Sequence, residues 1–351
     1  MTYLRSQHPR FAFLIHPRDL QDLYKWRGSK LLRDYSTTEE DFLSKATSLG
    51  PVVVGEILFG LDAGHGELLG VARLPDQILG SRGGEAIAAG VRLAAERGAP
   101  VVGLGALTAP RTGAGLTLLP TLPRGLTLTT GNAYTAAVAR ANVVEAVTAL
   151  SVSRVARVAI LGATGSVGVP ASHLLVQAGL DVTLIGRTLS RLRASLGDLG
   201  RDARFSDTLA DLRGVDIVLA LTSSSSARLS ADLLSPGSMV IDVAQPANVP
   251  ESDYGAFRAR QVRVVAGGLV RIPRYGSTYD FSLADPTTTF ACLAETYLMA
   301  REGIREHSVG PIATETALRM ERIAQRHGVR PATLQVPLDP RSGSREKAGR
   351  T

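Results

Sequence analysis

One stretch of the chain indicates its fold: Val158-Ala159-Ile160-Leu161-Gly162-Ala163-Thr164-Gly165-Ser166-Val167-Gly168. An apolar run typical of a buried strand leads directly into three glycines at three-residue spacing and a helix predicted over Ser166–Gln177. The first glycine permits a tight turn, the second lets the backbone approach a pyrophosphate, and the third allows close helix–strand packing. Because helix N–H groups bind phosphate, we predict a phosphate loop made of Gly162, Ala163, Thr164, Gly165, Ser166, Val167 and Gly168.

Strands and helices alternate on both sides of this loop. We predict strands over Val155–Leu161, Val182–Ile185, Asp216–Leu221, Met239–Val243 and Val262–Val265, with a helix over Leu189–Leu196. Such alternation predicts an α/β fold: a Rossmann-like doubly wound parallel sheet plus an N-terminal α/β substrate domain. The predicted segments are a substrate domain over 1–128, a connecting helix within 129–153, a dinucleotide-binding domain over 154–285, C-terminal helices over 286–335, and a disordered tail over 336–351.

The end of the second strand indicates which cofactor binds. A domain for NAD usually has Asp or Glu there to bind the ribose 2′-hydroxyl, but this chain has Arg187, followed by Thr188 and, one turn on, Arg191. A guanidinium binds a 2′-phosphate bidentately, so we predict NADPH. Loops that follow the other strands complete the predicted cofactor contacts, at Thr222, Ser223, Asp242, Gly268, Leu269 and Val270.

Composition excludes several classes of protein. The net charge of +7 comes almost wholly from arginine, since the chain has four lysines, and it favours an acidic partner or a ligand phosphate. No motif of basic residues interleaved with aromatics indicates nucleic-acid binding. No apolar run is long enough for a transmembrane helix, so we expect a cytoplasmic protein. A single cysteine allows no internal disulfide and disfavours a cysteine-based zinc site; we predict no metal.

Cys292 is the candidate nucleophile. We predict a helix from Asp285-Pro286 to about Glu302, which places Cys292 two turns inside it and gives the helix dipole only a modest effect on its thiol pKa. One thiol together with NADPH suits reduction of a thioester through an acyl-enzyme. Short-chain dehydrogenase chemistry is disfavoured because no lysine has Tyr four residues before it. Either His16, which follows the strand Phe11–Ile15, or a chain of water molecules is the candidate for the group that moves a proton.

Several segments resemble the cyanobacterial-type long-chain acyl-[acyl-carrier-protein] reductases. The segments Leu104-Gly105-Ala106-Leu107-Thr108 and Thr129-Thr130-Gly131-Asn132-Ala133-Tyr134-Thr135-Ala136 are similar to Leu-Gly-Gly-Phe-Thr and Thr-Thr-Gly-Asn-x-x-Thr-Ala of that family. The phosphate loop matches Gly-Ala-Thr-Gly-x-Ile-Gly, and Gly267-Gly268-Leu269-Val270 resembles Gly-Gly-Val-Val. Phe290-Ala291-Cys292-Leu293-Ala294-Glu295 is similar to Phe-Ala-Cys-Phe-Ala-Glu, whose cysteine is the acylated nucleophile.

The resemblance implies reduction of a long-chain acyl thioester to a fatty aldehyde, with Cys292 acylated and acyl-carrier protein or coenzyme A as the acyl donor. It also implies a substrate domain built mainly from residues 1–128, with the C-terminal helices returning to the cleft. The substrate residues carried over are Gly105, Thr108, Thr130, Asn132 and His16. Residues 56–78 fit the family poorly, Ala106 replaces a glycine, and the early Gly-His of the family is Ile15-His16-Pro17 here.

Two other hypotheses stay open. One is a shikimate- or amino-acid-dehydrogenase-like oxidoreductase acting on a small polar substrate independently of Cys292. The other is an NADPH-binding redox sensor without turnover. Acyl-chain length, the choice of carrier, a peripheral membrane contact and the oligomeric state are left undecided.

Overall fold

A computed structural model describes residues 10–59, 65–151, 153–222 and 229–334. The tail predicted over 336–351 and the cofactor contact predicted at Ser223 lie outside the described residues. The chain divides into two compact units. The first unit comprises Met1–Tyr134, Val270–Ile312 and Arg319–Arg330, and the second comprises Thr135–Leu269, Ala313–Leu318 and Pro331–Thr351.

The described residues form strands and helices as follows. The strands are β1 (Phe11–Ile15), β2 (Val52–Phe59), β3 (His65–Gly70), β4 (Val101–Leu104), β5 (Thr127–Thr129), β6 (Arg157–Leu161), β7 (Asp181–Ile185), β8 (Ala203–Ser206), β9 (Ile217–Ala220), β10 (Met239–Asp242), β11 (Arg263–Ala266), β12 (Leu269–Arg271), β13 (Tyr275–Ser277), β14 (Thr288–Phe290) and β15 (Arg330–Pro331). The α-helices are α1 (Leu20–Tyr24), α2 (Ser29–Asp34), α3 (Glu39–Ser48), α4 (Pro75–Leu79), α5 (Gly83–Glu96), α6 (Thr108–Arg111), α7 (Asn132–Leu150), α8 (Gly168–Gln177), α9 (Leu189–Leu196), α10 (Tyr254–Ala259), α11 (Ala291–Glu302) and α12 (Thr314–Arg326).

The first unit contains a mixed sheet in the order β13-β2-β3-β1-β4-β5. Strands β3, β1, β4 and β5 run parallel, whereas β2 is antiparallel to β3 and to β13. Strand β1 is buried along its whole length, as its continuous apolar sequence predicts for a central parallel strand. Helix α5 covers one face of the sheet because Ile87, Val91 and Ala94 recur at helical spacing and are buried.

The second unit contains a wholly parallel sheet in the order β11-β10-β9-β6-β7-β8. Counted along the chain from β6, this is the order 3-2-1-4-5-6 of the doubly wound dinucleotide-binding fold. Alternate residues of β6 face two separate cores, Val158 and Ile160 one of them and Ala159 and Leu161 the other. The predicted α/β class and the Rossmann-like sheet are therefore confirmed. A further small sheet has the order β14-β12-β15.

Some predicted elements agree with the structure and others differ. Strand β1 and helix α9 have the predicted bounds, and helix α7 lies within the segment 129–153 predicted to hold the connecting helix. The segment 107–124 is rich in Thr, Pro and Gly, a composition that predicts a loop, but it contains α6 and a 3-10 helix over Leu116–Thr121, so this prediction is wrong. Edge strand β8 was not predicted, because only one of its four residues, Ser206, is buried and the strand carries no clear apolar alternation.

Candidate functional site

The candidate nucleophile lies at the start of α11 in the first unit. The predicted helix start at Asp285-Pro286 is wrong, because α11 begins at Ala291 after the strand β14. Asp285 instead closes a turn: its Oδ1 accepts hydrogen bonds from the backbone N–H and the hydroxyl of Thr287. Three consecutive β-branched threonines then favour a strand over a helix. Cys292 is consequently the second residue of its helix, in the first turn rather than two turns inside.

Two opposing effects act on the Cys292 thiol. A helix N-terminus favours the thiolate, and the position of Cys292 in the first turn is more favourable than the sequence predicts. Burial nevertheless dominates and raises the pKa of the thiol to about 12, and the charge of Glu295 adds to the increase. In the protein without ligands, Cys292 is therefore a neutral thiol at physiological pH.

Glu295, one turn after Cys292, is completely buried. Its Oε1 accepts hydrogen bonds from the hydroxyls of Thr129 at 2.7 Å and Ser308 at 2.8 Å, and its Oε2 accepts one from the backbone N–H of Tyr134 at 2.7 Å. Burial raises the pKa of the carboxyl, while these donors and the Ala133 backbone oppose the shift. Since Tyr134 lies in the first turn of α7, Glu295 links the start of α7 to α11.

A glycine packs directly against the cysteine. Gly131 has a φ of +71°, and a Cβ built on it would lie 2.2 Å from the Cys292 Cα and 2.3 Å from its Cβ. The Gly131 N–H donates to the Thr129 hydroxyl at 2.9 Å, and that hydroxyl itself donates to Glu295. The segment Thr129–Gly131 is thus held by the Glu295 carboxylate in a position that only glycine permits beside the cysteine.

Two predicted substrate residues belong to this segment. The Thr130 N–H and hydroxyl both donate to the Ser308 carbonyl, at 2.9 and 3.3 Å. Asn132 is the first residue of α7, and its N–H lies 3.4 Å from the Thr130 hydroxyl. The structure therefore brings Thr130 and Asn132 together with Cys292, through Gly131, whereas direct contact with a substrate stays a prediction.

The other predicted substrate residues lie around the end of β4. The Gly105 N–H donates to the Leu14 carbonyl at 2.9 Å, and the buried Thr108 hydroxyl donates to the Gly105 carbonyl at 2.6 Å. His16 is 4% exposed; its Nδ1 donates to the Pro17 carbonyl and its Nε2 accepts from the Leu107 N–H. Burial lowers the pKa of His16, so the ring is neutral and both nitrogens are engaged in holding the loop. This geometry favours a structural role for His16.

The phosphate loop in the second unit has the geometry that its glycines require. Gly162 has a φ of +91°, and a Cβ there would lie 3.0 Å from the Thr222 backbone nitrogen. A Cβ on Gly168 would lie 2.2 Å from the Gly162 carbonyl oxygen, because α8 begins at Gly168 directly against the loop. The first and last glycines therefore match the roles that the spacing predicts, while α8 begins two residues later than predicted.

The residues predicted to select the cofactor follow β7 at the carboxyl edge of the sheet. Arg187, Thr188 and Arg191 are all exposed, and Thr188 caps α9 by accepting the Arg191 N–H. Within the described part of the chain, no acidic side chain pairs with either arginine. Both guanidinium groups are therefore available for a phosphate at the place where an NAD-binding domain usually has a carboxylate.

The remaining predicted cofactor residues have mixed roles. Asp242 ends β10, and its carboxylate accepts the N–H groups of Ala244 and Val249, so it shapes its own loop; burial raises its pKa to about 6. The Gly268 N–H donates to the buried Asn142 Oδ1 at 2.9 Å. Thr222 approaches Gly162, as described above, and Leu269 lies in the second unit. Val270 is buried and belongs to the first unit.

The sequence did not single out three residues of these sites. The Ser308 hydroxyl donates to the Glu295 carboxylate, and the Asn142 side chain accepts from the Gly268 backbone N–H. Neither Ser308 nor Asn142 lies in a motif. Gly131 was quoted within the Thr-Thr-Gly-Asn segment, but its contact with Cys292 could not be predicted from spacing. Among the described residues, no group of three His, Cys, Asp or Glu side chains is arranged to hold a metal ion, and no helix is long and apolar enough to span a membrane.

Comparisons with known proteins give partial similarities. No protein-family model matches the chain. It is 31% identical over 120 residues to the bifunctional protein FolD of Ralstonia nicotianae, covering 34% of this chain and 36% of that protein. The chain thus spans about a third of the length of this curated relative.

Two solved structures are similar over a comparable share of the chain. A cobalt- and zinc-bound thermostable alcohol dehydrogenase from Pyrobaculum aerophilum is 26% identical, with a TM-score of 0.30 over 38% of this chain and 39% of that one. YhdH of E. coli K-12, with bound NADPH, is 17% identical, with a TM-score of 0.29 over 38% and 43%. The strand order of the second unit, rather than these scores, identifies its fold as that of the domains that bind nicotinamide cofactors.

Proposed function

We propose that this protein is an NADPH-dependent oxidoreductase that reduces a long-chain acyl thioester to a fatty aldehyde through a thioester on Cys292. The observation that carries the proposal is the environment of this cysteine. It lies in the first turn of α11, packed against Gly131, in a segment held by the buried carboxylate of Glu295. The resemblance of Phe290–Glu295 and Thr129–Ala136 to the acyl-carrier-protein reductases supports the same assignment.

The residues of the second unit fit NADPH. Gly162 takes the positive φ of the tight turn and Gly168 lets α8 pack directly against the loop, the backbone arrangement that a pyrophosphate site requires. Arg187 and Arg191 are exposed where the 2′-phosphate of the cofactor would lie, and no carboxylate is present there to favour NADH. When bound, the cofactor supplies the hydride that reduces the acyl group.

Cys292 performs the covalent step. Its sulfur attacks the carbonyl carbon of the acyl thioester, the bond from that carbon to the carrier sulfur breaks, and the thiol proton goes to the departing carrier thiolate. The acyl group is then held on the protein until its reduction, after which the aldehyde leaves and the Cys292 sulfur recovers a proton. The high pKa of the thiol means that proton removal must accompany the attack.

The test measures aldehyde formation from a long-chain acyl-CoA or acyl-carrier protein with NADPH, for the natural protein and Cys292→Ala. NADPH affinity is measured in parallel as an independent readout of folding and cofactor binding. The proposal predicts that Cys292→Ala forms no aldehyde but binds NADPH with unchanged affinity. If the variant keeps its activity, or if the natural protein oxidises a small polar alcohol instead, the dehydrogenase hypothesis replaces this one.

A further inference from the structure

The second unit has a groove that the proposed reaction does not use. It is open, has a volume of about 1010 Å³, and is lined by Arg157, Arg193, Arg204 and Arg213 together with one carboxylate, Asp211, among the described residues. Arg157 begins β6, whereas the phosphate loop follows the other end of the same strand. None of the phosphate-loop residues, nor Arg187, lines the groove. It is therefore separate from the cofactor loop.

The charges in the groove are not balanced by the protein. Arg204 pairs with Asp181 at 3.0 Å, but no acidic partner pairs with Arg193 or Arg213 within the described residues. The Asp216 carboxylate, which accepts the Arg157 backbone N–H, is also bound by both terminal nitrogens of Arg154. The groove consequently holds an excess of guanidinium groups.

One of these guanidinium groups has an unsatisfied donor. The Arg157 Nε is buried and has no hydrogen-bond acceptor in the described part of the chain. A buried donor without a partner costs about 1–3 kcal/mol, so the protein leaves this guanidinium group incompletely satisfied. Gly214 lies beside this side chain: a Cβ there would make an ordinary van der Waals contact of 3.5 Å with the Arg157 guanidinium.

We propose that this groove binds a small polyanion that carries adjacent phosphate groups. Guanidinium forks bind phosphate oxygens bidentately, and several of them converging on one concave surface match a diphosphate better than a single carboxylate. The concave shape favours a small ligand over the flat acidic face of a partner protein. Two sources share this chemistry, free diphosphate and the phosphorylated nucleotide half of coenzyme A. The proposal does not depend on thioester reduction.

The experiment measures binding of inorganic diphosphate by calorimetry at fixed ionic strength, with the cofactor loop saturated by NADPH. The double variant Arg193→Gln/Arg213→Gln removes two unpaired charges from the groove. The matched control, Arg92→Gln/Arg305→Gln, removes the same charge from exposed positions of the first unit. We expect saturable binding that weakens at least tenfold in the groove variant and less than twofold in the control, with NADPH affinity unchanged in both.

If both variants lose the same affinity for diphosphate, the binding depends only on overall charge and the proposal is overturned. The absence of saturable binding to the natural protein would also overturn it. A second titration with coenzyme A distinguishes the sources. Displacement of diphosphate by coenzyme A supports a nucleotide ligand, and diphosphate binding that coenzyme A does not affect supports the free anion. Unchanged thermal unfolding of the groove variant shows that a loss of binding is not a loss of folding.

Discussion

Replacing Gly131 by alanine tests the packing of the candidate nucleophile. The new Cβ would lie 2.2 Å from the backbone Cα of Cys292, so the contact cannot be relieved by rotating a flexible side chain. Because Gly131 has a φ of +71°, alanine is also forced into the left-handed region. Either Cys292 or the segment Thr129–Gly131 must move, and the hydrogen bond from the Gly131 N–H to Thr129 is strained in both cases.

The expected cost has two parts. The left-handed conformation costs an alanine about 1–2 kcal/mol, and overpacking in a rigid interior costs about 1–3 kcal/mol. Gly125→Ala is a matched control, because Gly125 has a similar φ of +79° and nothing lies within 4 Å of its Cβ position. The control should therefore lose only the conformational part, and the difference between the variants should be about 1–3 kcal/mol from the contact alone.

Urea unfolding followed by circular dichroism measures both free energies of unfolding, provided that the dependence on urea is the same in each variant. A second readout is the rate at which iodoacetamide alkylates Cys292, followed by intact mass. We expect faster alkylation in Gly131→Ala, because the displaced cysteine becomes more accessible, and an unchanged rate in Gly125→Ala. Equal stability and equal alkylation rates in the two variants would refute the proposed contact.

Four further predictions address single groups. Glu295→Gln should lose about 1–3 kcal/mol of stability, measured by urea unfolding, because an amide cannot accept from two hydroxyls and the α7 backbone at once. Burial raises the pKa of Asp242 to about 6, above its unfolded value of about 4. The free energy of unfolding should therefore fall as pH rises from about 4 to 6, and Asp242→Asn should remove this dependence on pH. Arg187→Glu should reduce the preference for NADPH over NADH at least tenfold, measured by the two dissociation constants, while Arg201→Glu, also exposed, should not. Ala106→Gly should raise the melting temperature, because Ala106 has a φ of +47°.

The sequence predicted the second unit well because its signals are local. The apolar strand, the three glycines and the following helix lie within twenty residues and act through their own backbone, so the loop could be placed before its neighbours were known. The arginine after β7 also stands out from its local sequence, and its role in the choice of cofactor stays a prediction. Edge strand β8 escaped prediction because an edge strand needs no continuous apolar sequence, and its residues are partly exposed.

The site around Cys292 could be predicted only in part. The cysteine itself stood out as the single thiol, but Glu295 reaches Thr129 and Tyr134 across 166 and 161 residues of sequence, which no local pattern reveals. The position of Cys292 in its helix was predicted at least one full turn too deep, because Asp285-Pro286 has the composition of a helix start whereas α11 begins at Ala291. In the structure, the Asp285 side chain binds Thr287 instead, and the helix begins only after β14.

Acylation of Cys292 is tested most directly by the intact mass of the protein after incubation with a long-chain acyl-CoA in the absence of NADPH. The proposed mechanism predicts one added acyl group, lost on treatment with hydroxylamine, absent in Cys292→Ala, and released as aldehyde when NADPH is added. A protein that binds NADPH but gains no acyl mass, or an adduct that persists in Cys292→Ala, would contradict the thioester mechanism.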